Sequence, residues 1–241
     1  MYSKEFVNLV ENSFLKSEKL TSEEKKFGNP YYIGFGNPNS TVLILGKEKG
    51  FNIENEKQFE YESLLNPLEW KTYVDNSIKI NKNKFHSSEH YINAFFPYLE
   101  KSKSGHTWTK YETLLKNIYP EIVNEENDFF NHCFISEINF KPSKYSKIRS
   151  FNDQKRIEFL GSKYFKKFNV IILACGNYLD SNKIEEIFDV KYDKNSDLSR
   201  PRERLRIYRN GNRILINTRQ LSFDVSNNYL KEISNQLRDY L

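Results

Sequence analysis

The stretch "NVIILACG", Asn169 to Gly176, is an unbroken apolar run that ends in a cysteine and a glycine. It shows neither the alternation of a half-exposed strand nor the three-to-four spacing of a surface helix. A run this short and this rich in β-branched residues reads as a strand covered on both faces. "TVLILG", "HCFISEINF" and "RILIN" repeat the pattern. Helical spacing separates them. Residues 4–20 place Phe6, Val7, Val10, Phe14 and Leu15 at such intervals, and Asn66-Pro67 opens a helix through Trp70 and Tyr73. "TWTKYETLLKNIYP" is capped by Thr107 or Thr109 and stopped at Pro120. "QKRIEFLGSKYFKKF" is weakened at Gly161, "SNKIEEIFDV" is short, and a closing helix aligns Tyr229, Leu230, Ile233 and Leu237. The sequence "ERLRIYRNGNRILINT" turns back at Asn210-Gly211, a strong hairpin signal. The expected fold is α/β: a three-layer sandwich around a central, mostly parallel four-stranded sheet, with a β-hairpin extension. The 241 residues carry no repeat and no linker, so one domain, 1–241, is expected. Aromatics at 15% supply the core bulk that a 38% hydrophobic fraction leaves short.

Several function classes drop out. Two cysteines, Cys133 and Cys175, make neither a disulfide framework nor a four-cysteine metal site, and each borders an apolar run as a buried free thiol would. His86 and His90 stand four apart beside Glu89, but no third ligand is evident, so no metal and no cofactor are expected. His106 and Trp108 in "SGHTWTK" can approach a ligand, although Trp108 suits the core. The N-terminus has no signal-peptide core, and no apolar run approaches the ~18 residues that span a bilayer. A soluble cytoplasmic protein without a membrane partner is expected. A net charge of +5 permits a polyanionic partner.

In parallel sheets, ligands sit beyond the carboxyl ends of the strands. That rule selects "GKEKG" after the first strand, "NFKPSK" after the second and "NTRQLS" after the last. Gly46 and Gly50 permit close backbone approach, and Glu48 has Lys47 and Lys49 beside it, which favours its carboxylate form. Such a carboxylate can orient a water or stabilise a developing cation. A solvated turn is the other reading. Asn217, Thr218, Arg219, Gln220 and Ser222 can bind a base edge or a phosphate; alternatively this is a turn, with Ser222 or Asp224 capping the last helix. Arginines crowd between Arg200 and Arg219, and Arg202, Arg204 and Arg206 alternate as they would on one strand face. With Lys141, Lys144, Lys147 and Arg149 they can track a nucleic-acid backbone. A solvated hairpin balanced by Glu203, Asp189, Asp193 and Asp197 is the alternative.

"GNPNSTVLILGKEKG", Gly36 to Gly50, resembles the first motif of the uracil-DNA glycosylase superfamily, in the branch reading roughly G-N-P-x-A-x-L-M-x-V-G-E-x-P-G. "NTRQLS" stands where that superfamily has H-P-S-P-L-S, with Leu221 and Ser222 matching and Asn217 at the histidine position. "CFISEINFKP" is similar to the central strand and loop where an asparagine reads the base, which falls on Asn139. "NVIILACGNY" resembles the strand that precedes the second motif. The chain departs in four places: Lys49 replaces the motif proline, the acidic position falls on Lys47 or, in other branches, Glu48, the motif-two histidine is absent, and two cysteines cannot hold that branch's four-cysteine iron–sulfur cluster.

The resemblance implies a divergent protein that recognises, and in an active form excises, a uracil-like or modified base from single- or double-stranded DNA. Glu48 would then stabilise the sugar cation and position water, and Asn217, Arg219 or Lys47 would stabilise the leaving base. Phe51 would stack on it, or else belong to the core, and Asn139 would read its edge. An inactive module that binds nucleic acid, a nucleotide or a protein, with Lys47, Lys49 and Arg219 as an anion pocket, stays open. So does a hydrolase of free nucleosides.

Overall fold

The computed structural model describes residues 1–51, 53–78, 106–121, 128–144, 148–222 and 224–241. Seven strands pair into one sheet: β1 (Phe35–Gly36), β2 (Val42–Gly46), β3 (Cys133–Glu137), β4 (Val170–Leu173), β5 (Lys191–Tyr192), β6 (Leu205–Asn210) and β7 (Arg213–Thr218). Their order is β1-β3-β2-β4-β7-β6-β5. The four apolar runs are β2, β3, β4 and β7. They lie side by side and mutually parallel, with Val42 opposite both Cys133 and Val170, and Leu173 opposite Asn217. Every residue of β2, β3 and β4 is buried, as in a sheet shielded on both faces. The sheet has seven strands, not four. β1 adds antiparallel to the outer edge of β3, and β5 adds beyond the hairpin formed by β6 and β7. Each added strand is two residues long, too short to carry a period. Gly211, at φ +56°, makes the hairpin turn.

The helices are α1 (Lys4–Glu18), α2 (Ser22–Lys25), α3 (Glu56–Phe59), α4 (Asn66–Asp75), α5 (His106–Ile118), α6 (Gln154–Leu160), α7 (Lys163–Lys166), α8 (Ser181–Phe188) and α9 (Asn227–Leu237), with a π-helical turn at Glu60–Leu64. α1 packs against α4 and α7, and α5 against α9. α1 buries Phe6, Leu9, Val10, Ser13 and Ser17 and leaves Val7 and Leu15 exposed, so its apolar stripe is rotated from the expected one. α5 already includes Thr107 and Thr109, so neither caps it. Trp108 packs against Tyr111 and Phe130. Gly161 splits the expected long helix into α6 and α7. Ser226, rather than Ser222 or Asp224, caps α9 by accepting from the Tyr229 N–H at 3.2 Å.

An aromatic cluster welds α1, α4 and α7 to β3. Phe6 meets Trp70 and Tyr164 at ring-centroid distances of 4.9 Å, and Phe134 at 6.0 Å. The Trp70 indole N–H donates to the Gly34 carbonyl at 2.8 Å, so its one polar atom is satisfied in the core. The Gly-Asn-Pro stretch is structural. Gly36 has φ +91°, and a Cβ there would stand 2.5 Å from the Cys133 carbonyl oxygen. Asn37 donates its side-chain N–H to the Asn131 carbonyl at 2.9 Å.

Candidate functional site

Parallel pairing sends the carboxyl ends of β2, β3, β4 and β7 to one edge of the sheet, and short hydrogen bonds lock the following loops together. The loop after β3 is tied to the loop after β2: Ile138 N–H donates to Gly46 O at 2.9 Å, Asn139 N–H to Lys47 O at 2.7 Å and Ser143 N–H to Lys49 O at 2.9 Å. The loop after β4 is tied to both neighbours, through Ala174 N–H to Leu45 O at 2.8 Å and Gly176 N–H to Thr218 O at 2.9 Å. The three expected loops therefore share one edge with a fourth, "ACGNY".

That fourth loop supplies Tyr178, which sequence reasoning passed over. Its hydroxyl donates to the Glu48 carboxylate, and its ring lies 4.6 Å beneath the Lys47 ammonium. Tyr178 is itself positioned, since its carbonyl accepts from Phe151 N–H at 2.9 Å and its ring stacks on Phe151. Glu48 and Lys47 are half-buried. Asn139 is 1% exposed, and its carboxamide oxygen accepts from Lys141 N–H at 3.0 Å, an Asx turn that shapes the loop. Asn217 is also 1% exposed, and its side-chain oxygen is buried without a hydrogen-bond partner. A buried amide oxygen without a partner is expensive to keep. Phe51 is packed inside, which matches its core reading. Gly50 has nothing within 4 Å of a Cβ, so no close approach demands a glycine there.

Gly46 is different. A Cβ on it would collide with the Glu137 carboxyl, which lies across its Cα; the built Cβ falls 2.9 Å from Cδ and 3.0 Å from Oε1, with Oε2 closer still. Glu137 is 9% exposed, and its Oε2 is buried without a partner. Burial raises its carboxyl to about 8, the Lys49 ammonium opposing that rise and the Glu48 carboxylate adding to it. Lys49, expected to flank Glu48 and, in a binding module, to share an anion pocket with Lys47 and Arg219, turns inward and is 7% exposed. Its ammonium sits 3.2 Å from the Tyr32 ring centroid and 3.5 Å from Ser63 Oγ. Burial lowers it to about 7, against the pull of the Glu62 and Glu137 carboxylates. Glu62, also buried, accepts from the Gln58 amide at 2.9 Å. Arg156 closes the group from α6: its guanidinium, fully buried, donates to the carbonyls of Glu137, Pro30 (3.2 Å) and Tyr32 and to Ser136 Oγ (2.9 Å).

The basic residues are placed differently from a single strand face. β6 starts at Leu205, and Arg202 lies before it in a left-handed turn, φ +68°. Arg204 donates to the Gly176 carbonyl at 3.2 Å, and Arg206 stands 3.6 Å from the Asp197 carboxylate. Arg219 pairs with Asp224 and donates to Arg202 O at 3.2 Å. Gln220 is half-buried, and Ser222 Oγ donates to Asp224 at 3.5 Å. Lys141 and Lys144 are exposed, the former 5.6 Å from the Phe27 ring centroid. Lys147, His86, Glu89 and His90 lie outside the described residues. Among the described residues, no group of three or more His, Cys, Asp or Glu could hold a metal ion, and no helix is long and apolar enough to cross a membrane.

No family model matches the chain, and no solved structure matches it. A probable cation-transporting ATPase from Plasmodium falciparum is 24% identical over 197 residues. The match takes in 78% of this chain but spans 9% of that protein's length. A likeness of that extent assigns the chain to no family.

Proposed function

We propose that the protein recognises a base in DNA and removes it by hydrolysing the N-glycosidic bond. The observation that carries this reading is Glu48: a half-buried carboxylate at the end of a central parallel strand, aimed by the Tyr178 hydroxyl, with Lys47 over the same ring. The order of the four parallel strands supports it, as does the meeting of the "GKEKG", "NFKPSK" and "NTRQLS" loops at their carboxyl ends. Helices on both sheet faces would complete the three-layer sandwich that the resemblance implies.

Breaking the bond leaves positive charge on the sugar and the electron pair on the base. In this reading a base flipped from the stack enters between Asn139 and Asn217, whose buried amides discriminate its edge. Glu48 stabilises the sugar cation and orients the water that attacks it; Lys47 and the Asn217 amide face the departing base. Lys141 and Lys144 reach the DNA backbone. The test is strand scission at abasic sites in oligonucleotides carrying uracil, hypoxanthine or modified cytosines, using wild type and Glu48→Gln. A product lost in the variant supports the reading; no product from any DNA refutes it.

A second reading, a binding module without catalysis, is favoured by one observation. Arg204, Arg206 and Arg219 already have intramolecular partners, so the hairpin offers less free charge to a DNA backbone than its sequence promises. Salt-sensitive DNA binding without scission would select it.

A further inference from the structure

Two buried acids, Glu62 and Glu137, take no part in that mechanism; Glu62 accepts from the Gln58 amide, and Glu137 stands at the sheet edge. Glu137 ends β3 opposite Gly46, the residue from which the Glu48 loop springs. Its carboxyl lies flat across the Gly46 Cα, in space that any side chain would fill, and its Oε2 has no hydrogen-bond partner. A carboxyl kept merely to anchor the fold would be expected to accept hydrogen bonds, as the Glu137 carbonyl does from Arg156. We propose that Glu137 is the proton donor to the departing base, and that the base removed is one that leaves poorly as an anion: an amino-bearing pyrimidine or purine of the cytosine or adenine type. This inference rests on the glycosylase reading and names its substrate class.

Uracil and hypoxanthine carry a carbonyl where cytosine and adenine carry an amino group, so their anions are better stabilised and hydrogen-bond donors suffice. An amino-bearing base needs a proton on a ring nitrogen or carbonyl oxygen as the bond breaks. In the proposed step the C1′–N bond cleaves, its electron pair goes to the base, and the Glu137 O–H proton passes to the base. Water adds to C1′ and gives its proton to Glu48. The sum is hydrolysis, and exchange with solvent then takes the proton from Glu48 and restores one to Glu137. The groups around Glu137 fit a donor. Burial, with Glu48 and Glu62 adding to it, keeps its proton on at neutral pH; Lys49 and Arg156 oppose, and stand ready to stabilise the carboxylate left behind. Tyr32 and Tyr111 lie within its electrostatic reach, and burial holds both phenols well above their ordinary value, so neither competes as an acid. Cys175, raised by burial to about 12, is likewise neutral.

The test is single-turnover cleavage from pH 6 to 9 of oligonucleotides carrying cytosine, 5-methylcytosine, adenine, uracil or hypoxanthine. Wild type should cut an amino-bearing base in preference, with a rate that falls as pH rises through about 8. Glu137→Gln should lower that rate about 100-fold or more and remove the alkaline fall. Preference for uracil or hypoxanthine, or a Glu137→Gln enzyme with wild-type rate and pH profile, overturns the inference and leaves the glycosylase reading standing. No cleavage of any base overturns both. Carbon-13 titration of the wild-type carboxyl groups needs no variant: Glu137 losing its proton in the ordinary carboxylate range overturns the inference even if the variant does not fold.

Discussion

Replacing Glu137 by Gln should stabilise the protein at neutral pH by an amount set by one displaced proton. The folded carboxyl titrates at about 8, against 4.5 for an ordinary glutamate, chiefly because it is buried. A raised folded value means that stability is full below the unfolded value and is lost as pH climbs toward the folded one. Between those limits one proton is released on unfolding, which changes stability by about 1.4 kcal/mol per pH unit. From pH 5 to pH 7 the wild type therefore loses about 3 kcal/mol that Glu137→Gln keeps. Lys49 touches the top of this window, because burial lowers it to about 7 and one of the carboxylates that raise it, Glu137, is gone in the variant. Its effect begins near pH 7, where stability starts to recover as pH rises. Urea unfolding of both proteins at pH 5 and pH 7, followed by tryptophan fluorescence, reads the difference, and titrations of groups remote from Glu137 cancel. The stability gap should widen by about 3 kcal/mol in favour of the variant. A gap constant to within about 0.5 kcal/mol would show that Glu137 ionises normally and would remove the buried acid from the account.

Other perturbations follow from the same geometry. Gly46→Ala forces a methyl into the Glu137 carboxyl and should lower stability by about 1–3 kcal/mol, read by urea unfolding. Arg156→Met strands the carbonyls of Pro30, Tyr32 and Glu137 and should lose about 3–5 kcal/mol; Arg156→Lys, without the planar fork, should restore less than half. Tyr178→Phe removes the donor to Glu48 and should leave the fold intact at a loss of about 1–2 kcal/mol, while slowing any base excision about tenfold.

The sheet was legible because its core strands are short apolar runs that only a doubly covered strand explains. The Asn210-Gly211 turn fixed β6 against β7. β1 and β5 escaped: Phe35-Gly36 contains a residue that strands avoid, and Lys191-Tyr192 is polar and lies at the sheet edge. The shared edge was legible where position at or after a strand end decides it, which places Glu48 and Asn139 on loops and Asn217 near the end of β7, all at the same end of the sheet. The site was hidden where a charge is buried. Lys49, Glu62, Glu137 and Arg156 carry residue types that normally face water, so each reads as surface. Two signals were nonetheless present. Glu137 ends β3 inside the longer run that continues through Ile138 and Phe140, and Arg156 stands at i, with Phe159 and Leu160 at i+3 and i+4, on the buried stripe of α6. The arginine triplet misled because alternation was read into residues that precede the strand: Arg202 in its left-handed turn breaks the period.

The most direct measurement is alkali-revealed scission of end-labelled oligonucleotides, each carrying one uracil, hypoxanthine, adenine, cytosine or modified cytosine. Single and double strands would be incubated with wild type and with Glu48→Gln. The account predicts one cut at the marked base with wild type, and its loss with Glu48→Gln while DNA binding persists. Equal cutting by both proteins, or no cutting by either, would contradict the assignment of Glu48 as the group that carries the chemistry.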